Sequence, residues 1–337
     1  MYLIHPKRKQ YKANLHCHTK LSDGNKTPRQ IKRMYKKAGY SIVAITDHET
    51  PGNHSYLNDK DFIAITGYEA YIRNNVTNIS DPYNKEIHMN LFAKDPENTA
   101  IVCYNPAYCK YLSDAQKEAL VKVGSQEPRV YSVEYINSFI KTATDNGYLV
   151  TYNHPWWSME DEWDILQYEG FFSLEICNYT SNLLSSLEYS GALYDKMLCR
   201  GKRVYCHSAD DNHNKFPEGD AFCDSFGGFT MIMPEEFTYE SILKAMEKGE
   251  MYSSMGPTFQ EVSMEGNRIH IVCSDVSRIM VFTGSKYPKR LIAQPGCTVN
   301  TADFEIDDRA NYIRVSIVDE KGRYADTRGF FRDELEF

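Results

Sequence analysis

Ten histidines are spread along the 337 residues, and the spacing of several suggests metal chemistry. His16 and His18 form an H-x-H pair closing an apolar run, Tyr11–His16. Alternate residues of a strand point to the same side, so two imidazoles at a strand's C-terminal end can share one metal ion. Cys17 then points the other way and is expected to pack. The placement recurs. Asp47-His48 follows the run Ser41–Thr46, and Glu69 follows Phe62–Thr66. Asn153-His154-Pro155 follows Tyr148–Tyr152, and Asp210-Asp211-Asn212-His213 follows Val204–His207. A single histidine at a strand end is commonplace; ligand-type residues at five such ends are not explained by packing. Imidazole and carboxylate donors suit Zn²⁺, Mn²⁺ or Fe²⁺, and a set without thiolates argues against a closed structural zinc site.

Residues so far apart need a fold that gathers them. Up to about residue 256, short apolar runs alternate with helical stretches, the latter beginning with a helix opened by Thr27 as N-cap and Pro28 in the first turn. Its stripe is Ile31, Met34, Tyr35 and Ala38, and it stops at Gly39. A second helix is expected from near Ser132 to Gly147, a third over Leu183–Arg200 and a fourth over Tyr239–Lys248. A further strand run, Ser173–Cys177, belongs to the same series. Repetition of this kind favours a parallel sheet or barrel, and seven or eight runs favour the barrel, which collects its strand ends at one mouth. After Met251–Pro257 the pattern changes to β-like runs, Ile269–Cys273, Ile279–Phe282, Arg290–Ala293 and Tyr312–Val318, with no helical period. The expected division is a barrel over 1–257 and a small β-sandwich over 258–337. Ala93–Arg129 fits neither pattern and has the length of an insertion or lid.

Composition narrows the partners. With 38 Lys and Arg against 46 Asp and Glu the chain is formally −8, which disfavours binding long nucleic acids. No apolar stretch reaches 18 residues, so no membrane span is expected. The opening MYLIHPKRKQ lacks the apolar core of a secretory signal. Nine cysteines, an odd number without any C-x-x-C, read as a reduced, cytoplasmic chain. There is no G-x-x-x-x-G-K-[ST] phosphate cradle.

Six segments carry a resemblance: N-L-H-C-H-T-K-L-S-D-G (14–24), I-T-D-H-E (45–49), G-Y-E-A (67–70), H-M-N-L (88–91), Y-N-H-P-W-W (152–157) and D-D-N-H (210–213). In this order they resemble the PHP (polymerase and histidinol phosphatase) superfamily of metal-dependent phosphoesterases, in a subgroup with an appended sandwich-like domain. The resemblance implies an α/β fold, a distorted seven-stranded (β/α) barrel. It implies a cluster of two or three divalent ions, Zn, Mn or Fe. His16 and His18 would hold the first with Glu69 and Asp211. Glu69 would bridge to a second held by His88 and His154, while Asp23, His48 and His213 would hold a third. Many relatives have histidine where this chain has Asp23. His88 opens its apolar run instead of closing it, so its place rests on the motif. The implied activity is hydrolysis of phosphate esters by an activated water, with Glu69, Asp211 and His48 at the reaction centre. The substrate would be small and anionic, a phosphorylated metabolite or nucleotide. Three divalent ions would bring the formal −8 to −2 and make the centre itself attractive to anions.

Other residues have two readings each. His54 either contacts substrate or fills a loop; Asp210 either orients a ligand imidazole or is a turn carboxylate. Trp156 and Trp157 either wall the pocket or pack on the rim. His207 is expected to be buried and hydrogen-bonded, and His5 and His270 to lie away from the site. Arg73, Lys85 and Arg129 are the candidate phosphate-binding cations. Two competing functions remain: a non-catalytic metal-binding scaffold, and a metal hydrolase of C–N or C–O bonds. Release of inorganic phosphate separates them from phosphoester hydrolysis.

Overall fold

The apolar runs become strands of a mixed α/β fold built on one large sheet in the computed structural model, which describes residues 1–75, 81–186 and 189–335. In chain order the first elements are β1 (Tyr2–Ile4), β2 (Tyr11–Asn14), α1 (Pro28–Lys37), β3 (Ile42–Ile45), β4 (Ile63–Arg73) and β5 (Glu86–Ala93). Next come β6 (Ile101–Val102), α2 (Asp114–Ala119), β7 (Lys122–Val123), α3 (Val133–Asp145), β8 (Tyr148–Tyr152), α4 (Glu162–Ile165) and β9 (Ser173–Asn178). They are followed by α5 (Tyr179–Ser185), α6 (Gly191–Cys199), β10 (Tyr205–Ala209), β11 (Phe229–Ile232), α7 (Tyr239–Glu247) and β12 (Met251–Ser254). The last segment carries β13 (Phe259–Glu265), β14 (Arg268–Val276), β15 (Arg278–Phe282), β16 (Lys289–Ile292), β17 (Val299–Glu305), β18 (Tyr312–Val318), β19 (Tyr324–Thr327) and β20 (Phe330–Phe331).

The large sheet runs β10-β9-β8-β5-β4-β3-β2-β11-β12-β19-β18-β15-β16. It is not uniformly parallel: β2–β3, β3–β4, β8–β9 and β9–β10 are parallel, whereas β5 is antiparallel to both β4 and β8. Its β10 edge returns to β2, where Cys17 and Asn212 form a parallel bridge and Asp211 N donates to His16 O at 3.0 Å. The sheet therefore curls. Ala13, Ala44, Ile65, Phe92, Leu149 and Ala209, from six strands, pack as one buried cluster on its concave side. The intervening Val43, Ile45 and Ala64 face outward onto Ile31 and Tyr35 of α1, as a two-residue strand period requires. Thr27 caps α1 reciprocally with Gln30, and Gly39, at φ +83°, turns the chain out of it.

The helix expected over Leu183–Arg200 is two helices; Leu187 and Glu188 of that span lie outside the described residues. Ser186 adopts a left-handed φ of +55° and ends α5. Tyr189, in the break, stacks on Tyr324 with ring centroids 4.0 Å apart and donates to Asp326 at 3.2 Å. Tertiary contact with the C-terminal strands thus overrides helical propensity here.

From Phe259 onward the regular elements among the described residues are strands and one 3₁₀ turn. β1 pairs with β13 in a second, four-stranded sheet, β1-β13-β14-β17. Ile4, Val262, Ile271 and Ala302 of that sheet pack against Ile279, Val315 and Ala325 of the large one. The segment between β5 and α3 folds against the large sheet: Ile101, Val102 and Cys109 join the core around Tyr68 and Phe139.

Candidate metal centre

His16 and His18 follow β2, His48 follows β3, His154 follows β8, and Asp211 and His213 follow β10. Glu69 differs from expectation: it lies within β4, which runs on for eleven residues because it pairs with β5. His88 lies near the start of β5. Since β5 is antiparallel to its neighbours, its beginning shares the rim with their ends. Strand direction thus supplies the reason that His88 opens its run.

Glu69 is the hub. Its Oε1 lies 3.1 Å from His16 Nε2, 3.0 Å from His88 Nδ1 and 3.4 Å from His154 Nε2. Its Oε2 lies 2.9 Å from His48 Nδ1 and 3.5 Å from His18 Nε2. Asp211 Oδ1 is 3.0 Å from His18 Nε2 and 3.2 Å from His16 Nε2. Asp23 Oδ1 is 3.5 Å from His213 Nε2, and its Oδ2 is 3.8 Å from His48 Nε2. All nine expected ligands are brought into one cluster, with Asp23, His48 and His213 half-buried on its solvent side. Donor atoms lie within 4.8 Å of one another in four sets: His18, Asp23, His48 and His213; His16, His18 and Glu69; His16, His154 and Asp211; and His48, Glu69 and His88. His16, His18, His48 and Glu69 each belong to two sets, a more interleaved grouping than the one implied by the resemblance.

The residues fit divalent cations. His16 Nε2 and His18 Nε2 stand 3.2 Å apart, so at most one can hold a proton between them. Asp211 Oδ1 is buried and accepts no hydrogen bond in good geometry, although both imidazoles face it. Burial alone would push the Glu69 carboxyl up, but the imidazoles of His88, His16 and His48 outweigh it and hold its pKa well below the usual range. Burial lowers His18 to about 3, with His213 and His48 adding to the effect. Burial opposes protonation of His88 too, yet Glu69 and Glu86 raise it to about 10. Without cations, then, the carboxylates draw protons onto some imidazoles and leave others bare; bound cations would balance all of them at once.

Residues beyond the nine hold the cluster. Asp47 accepts from Thr19 N at 2.7 Å and Ser22 Oγ at 2.6 Å, tying down the loop that presents Asp23. Asp210 touches none of the imidazoles; it accepts from Tyr35 Oη and from the backbone N–H groups of Phe226, Gly227 and Gly228, and is therefore the turn carboxylate. Glu49 forms a buried pair with Arg129, Nη2 to Oε2 at 2.9 Å, which removes Arg129 from the candidate phosphate cations.

Glu175 was not anticipated. This fully buried carboxylate of β9 accepts from His16 Nδ1 at 3.1 Å, from His154 N at 3.0 Å and from Asn178 Nδ2 at 2.9 Å. Asn178 Nδ2 also reaches Asp211 Oδ2 at 3.1 Å. Strand β9, which supplies none of the nine, thereby frames ligands from β2, β8 and β10. The signal was present in S-L-E-I-C (173–177), since a carboxylate inside a buried run must find partners. Glu175→Ala is expected to weaken Zn²⁺ or Mn²⁺ binding about 10–100-fold, with Glu175→Gln intermediate, as measured by calorimetric titration. Unchanged affinity in the alanine variant would show that His16 is oriented by other means.

A cleft of ≈ 370 Å³ opens onto the cluster. Trp157 lines it, its ring centroid 5.1 Å from His88 and 5.0 Å from His154, so Trp157 is a pocket wall. Three cations line it, Arg73, Lys110 and Lys215, whereas Lys85 does not. Arg73 Nη2 is engaged by Glu86 at 2.8 Å. Lys110 and Tyr111 arrive from the segment that resisted assignment, with the Tyr111 ring parallel to His48 at 6.4 Å. Of the other histidines, His207 is buried and bonded to Ser173 Oγ at 2.8 Å, and His270 pairs with Asp303. His54 is buried away from the cleft lining, and burial lowers it to about 4.

No family model matches the chain, and no curated protein does. Among solved structures, eleven chains match. One is a two-domain protein from Bacteroides vulgatus, described as containing a PHP-like metal-dependent phosphoesterase assigned by prediction. It is 13% identical over 98% of this chain and 89% of its own, with a TM-score of 0.45. Another, from Bifidobacterium adolescentis, is named as a candidate metal-dependent phosphoesterase; it is 16% identical over 62% of this chain and 90% of its own, with a TM-score of 0.37. A third, an amidohydrolase from Chromobacterium violaceum with bound sulfate and no metal, is 14% identical over 60% of this chain and 87% of its own, with a TM-score of 0.38.

Proposed function

We propose that the chain hydrolyses phosphate esters at the Glu69 centre with two or three divalent ions, Zn²⁺, Mn²⁺ or Fe²⁺. The observation that carries this reading is the hub itself: both oxygens of one buried carboxylate face imidazoles presented from different strand ends. Bound ions would supply positive charge for the phosphoryl oxygens and an activated water. Glu69 would be a ligand common to two of them, with His16, His18 and Asp211 completing one set and His88 and His154 the other. Asp23, His48 and His213 form the solvent-side set, and a third ion held there would stabilise the leaving alkoxide. Arg73, Lys110 and Lys215 add positive charge around an anionic substrate, and the volume of the cleft suits a small one.

In this reading residues 1–257 are a distorted seven-stranded (β/α) barrel and 258–337 a sandwich-like domain, with β1 crossing over to pair with β13. The curled sheet and the shared apolar cluster across the two C-terminal sheets support it. No helix among the described residues is long and apolar enough to cross a membrane. The odd cysteine count and the lack of any C-x-x-C support a reducing, cytoplasmic setting for the chain.

The test is a product panel. Protein loaded with Mn²⁺, Zn²⁺ or Fe²⁺ is offered phosphate monoesters, diesters, short oligonucleotides and amides. Inorganic phosphate from a monoester, or an alcohol plus monoester from a diester, is the expected result. Amine release without phosphoester cleavage would identify a C–N hydrolase, and an inert, metal-loaded protein a scaffold.

A further inference from the structure

The rim of the cleft is apolar where its floor is charged. Phe216 and Phe222 are 44% and 53% exposed, and Leu184 on α5 is 58% exposed; all three line the same cavity as Glu69 and Asp211. The two phenyl rings sit 5.3 Å apart, centroid to centroid, tilted by 39°. Their loop is tied at its base. Asp224 accepts from His213 N at 2.8 Å and Asn214 N at 3.0 Å, and Asn214 Nδ2 donates to Ser225 Oγ at 2.6 Å. Phe226 N, on the far side, donates to Asp210. The ring pair is thus held at a set offset from His213, one of the nine clustered residues, and Trp157 stands on the lining with its indole against His88 and His154.

Large apolar side chains left half in water gain free energy when an apolar group covers them. Two tilted phenyl rings and an indole favour a flat ring as that group, because aromatic pairs add a geometric preference to the area they bury. A ligand whose phosphoryl oxygens meet the cluster must run its alcohol portion along this rim. We propose that the substrate is a phosphate ester whose alcohol portion carries an aromatic ring, seated against Phe216, Phe222 and Leu184 and facing Trp157. The proposal rests on the phosphoesterase reading and specifies the substrate class for the same site. A volume of ≈ 370 Å³ accommodates one phosphoryl group with a ring system of one or two rings.

Two ligand pairs separate this from the reading beneath it. In calorimetric titration of metal-loaded protein, 2-phenylethylphosphonate is expected to bind at least about tenfold more tightly than propylphosphonate, the scale of discrimination that apolar pockets reach. The double variant Phe216→Ala/Phe222→Ala should bring the ratio to within about threefold, with circular dichroism and metal content as in the parent. Should the pair prove necessary for folding, Phe222→Ala alone should still reduce the ratio. Equal binding, no binding of either, or a preference that survives in the double variant would overturn the proposal. Hydrolysis of 2-phenylethyl phosphate against propyl phosphate, whose leaving alcohols are alike in reactivity, supplies the second arm. Equal turnover of both would leave the phosphoesterase standing and remove the ring subsite. Discriminating phosphonate binding without hydrolysis of either ester would do the reverse.

Discussion

Glu69→Gln is expected to lower phosphate-ester turnover about 10²–10³-fold while leaving the chain folded. Glutamine matches glutamate in size, so the buried site, 1% exposed, gains no cavity. The charge is what goes. Five imidazoles, those of His16, His18, His48, His88 and His154, face the two carboxylate oxygens, and an amide presents one acceptor where two were needed. Its NH₂ would have to point toward one side of the cluster and could not coordinate there. Asn153 Nδ2 already donates to Oε1 at 3.0 Å, which favours the amide oxygen in that position and turns the NH₂ toward His48 and His18. The variant should therefore bind fewer ions per chain, read by metal analysis, with an unchanged circular dichroism spectrum. Turnover close to that of the parent would show that Glu69 does not bridge.

The second large effect is on stability. Arg314, 1% exposed, is gripped between α6 and the C-terminal strands. Its Nε meets Asp195 Oδ1 at 2.9 Å, its Nη2 meets Asp195 Oδ2 at 2.6 Å, and its Nη1 pairs with Asp326. Tyr312 and Tyr189 hydroxyls complete the two carboxylates at 3.2 Å each. Removing the guanidinium strands Asp326 in the interior, where burial already pushes its carboxyl up against the pull of Arg314. Arg314→Met is expected to cost about 3–5 kcal/mol, a large part of the roughly 5–15 kcal/mol that holds a typical fold. Arg314→Lys should recover little, because a lysine cannot serve both carboxylates with a planar fork. Urea unfolding measures this directly, and a loss below about 1 kcal/mol would show that the aspartates find water or protons instead. The same contacts bear on truncation. Ending the chain at Pro257 removes β19 from β12, β13 from β1 and Arg314 from Asp195. The shortened chain is expected to be insoluble; a soluble, active 1–257 fragment would contradict that.

How much of this was legible before the fold was known depended on whether the information was local. Thr27, Pro28 and Gly39 delimit α1 because capping and a left-handed exit are matters of a few neighbouring residues. His16, His18, His48, His154 and Asp211 stand out because polar ligand types interrupt apolar runs where the strands stop. The direction of β5 is set by its partners β4 and β8, and it decides both why His88 begins its strand and why Glu69 sits inside one. The break at Ser186 follows from the contacts of Tyr189 with Tyr324 and Asp326, more than 130 residues away in sequence. A carboxylate inside the run Ser173–Cys177 signals that Glu175 needs partners but not which ones, because His16 and His154 come from two other strand ends. Lys110 and Tyr111 were hidden because nothing periodic marks the loop that delivers them.

The measurement that bears most directly on the centre is phosphate release from a monoester before chelation, after it, and after reloading with Mn²⁺, Zn²⁺ or Fe²⁺. Activity that disappears on chelation and returns on reloading is the predicted result. Phosphate release that survives complete removal of metal, or none from protein shown to hold its ions, would contradict it.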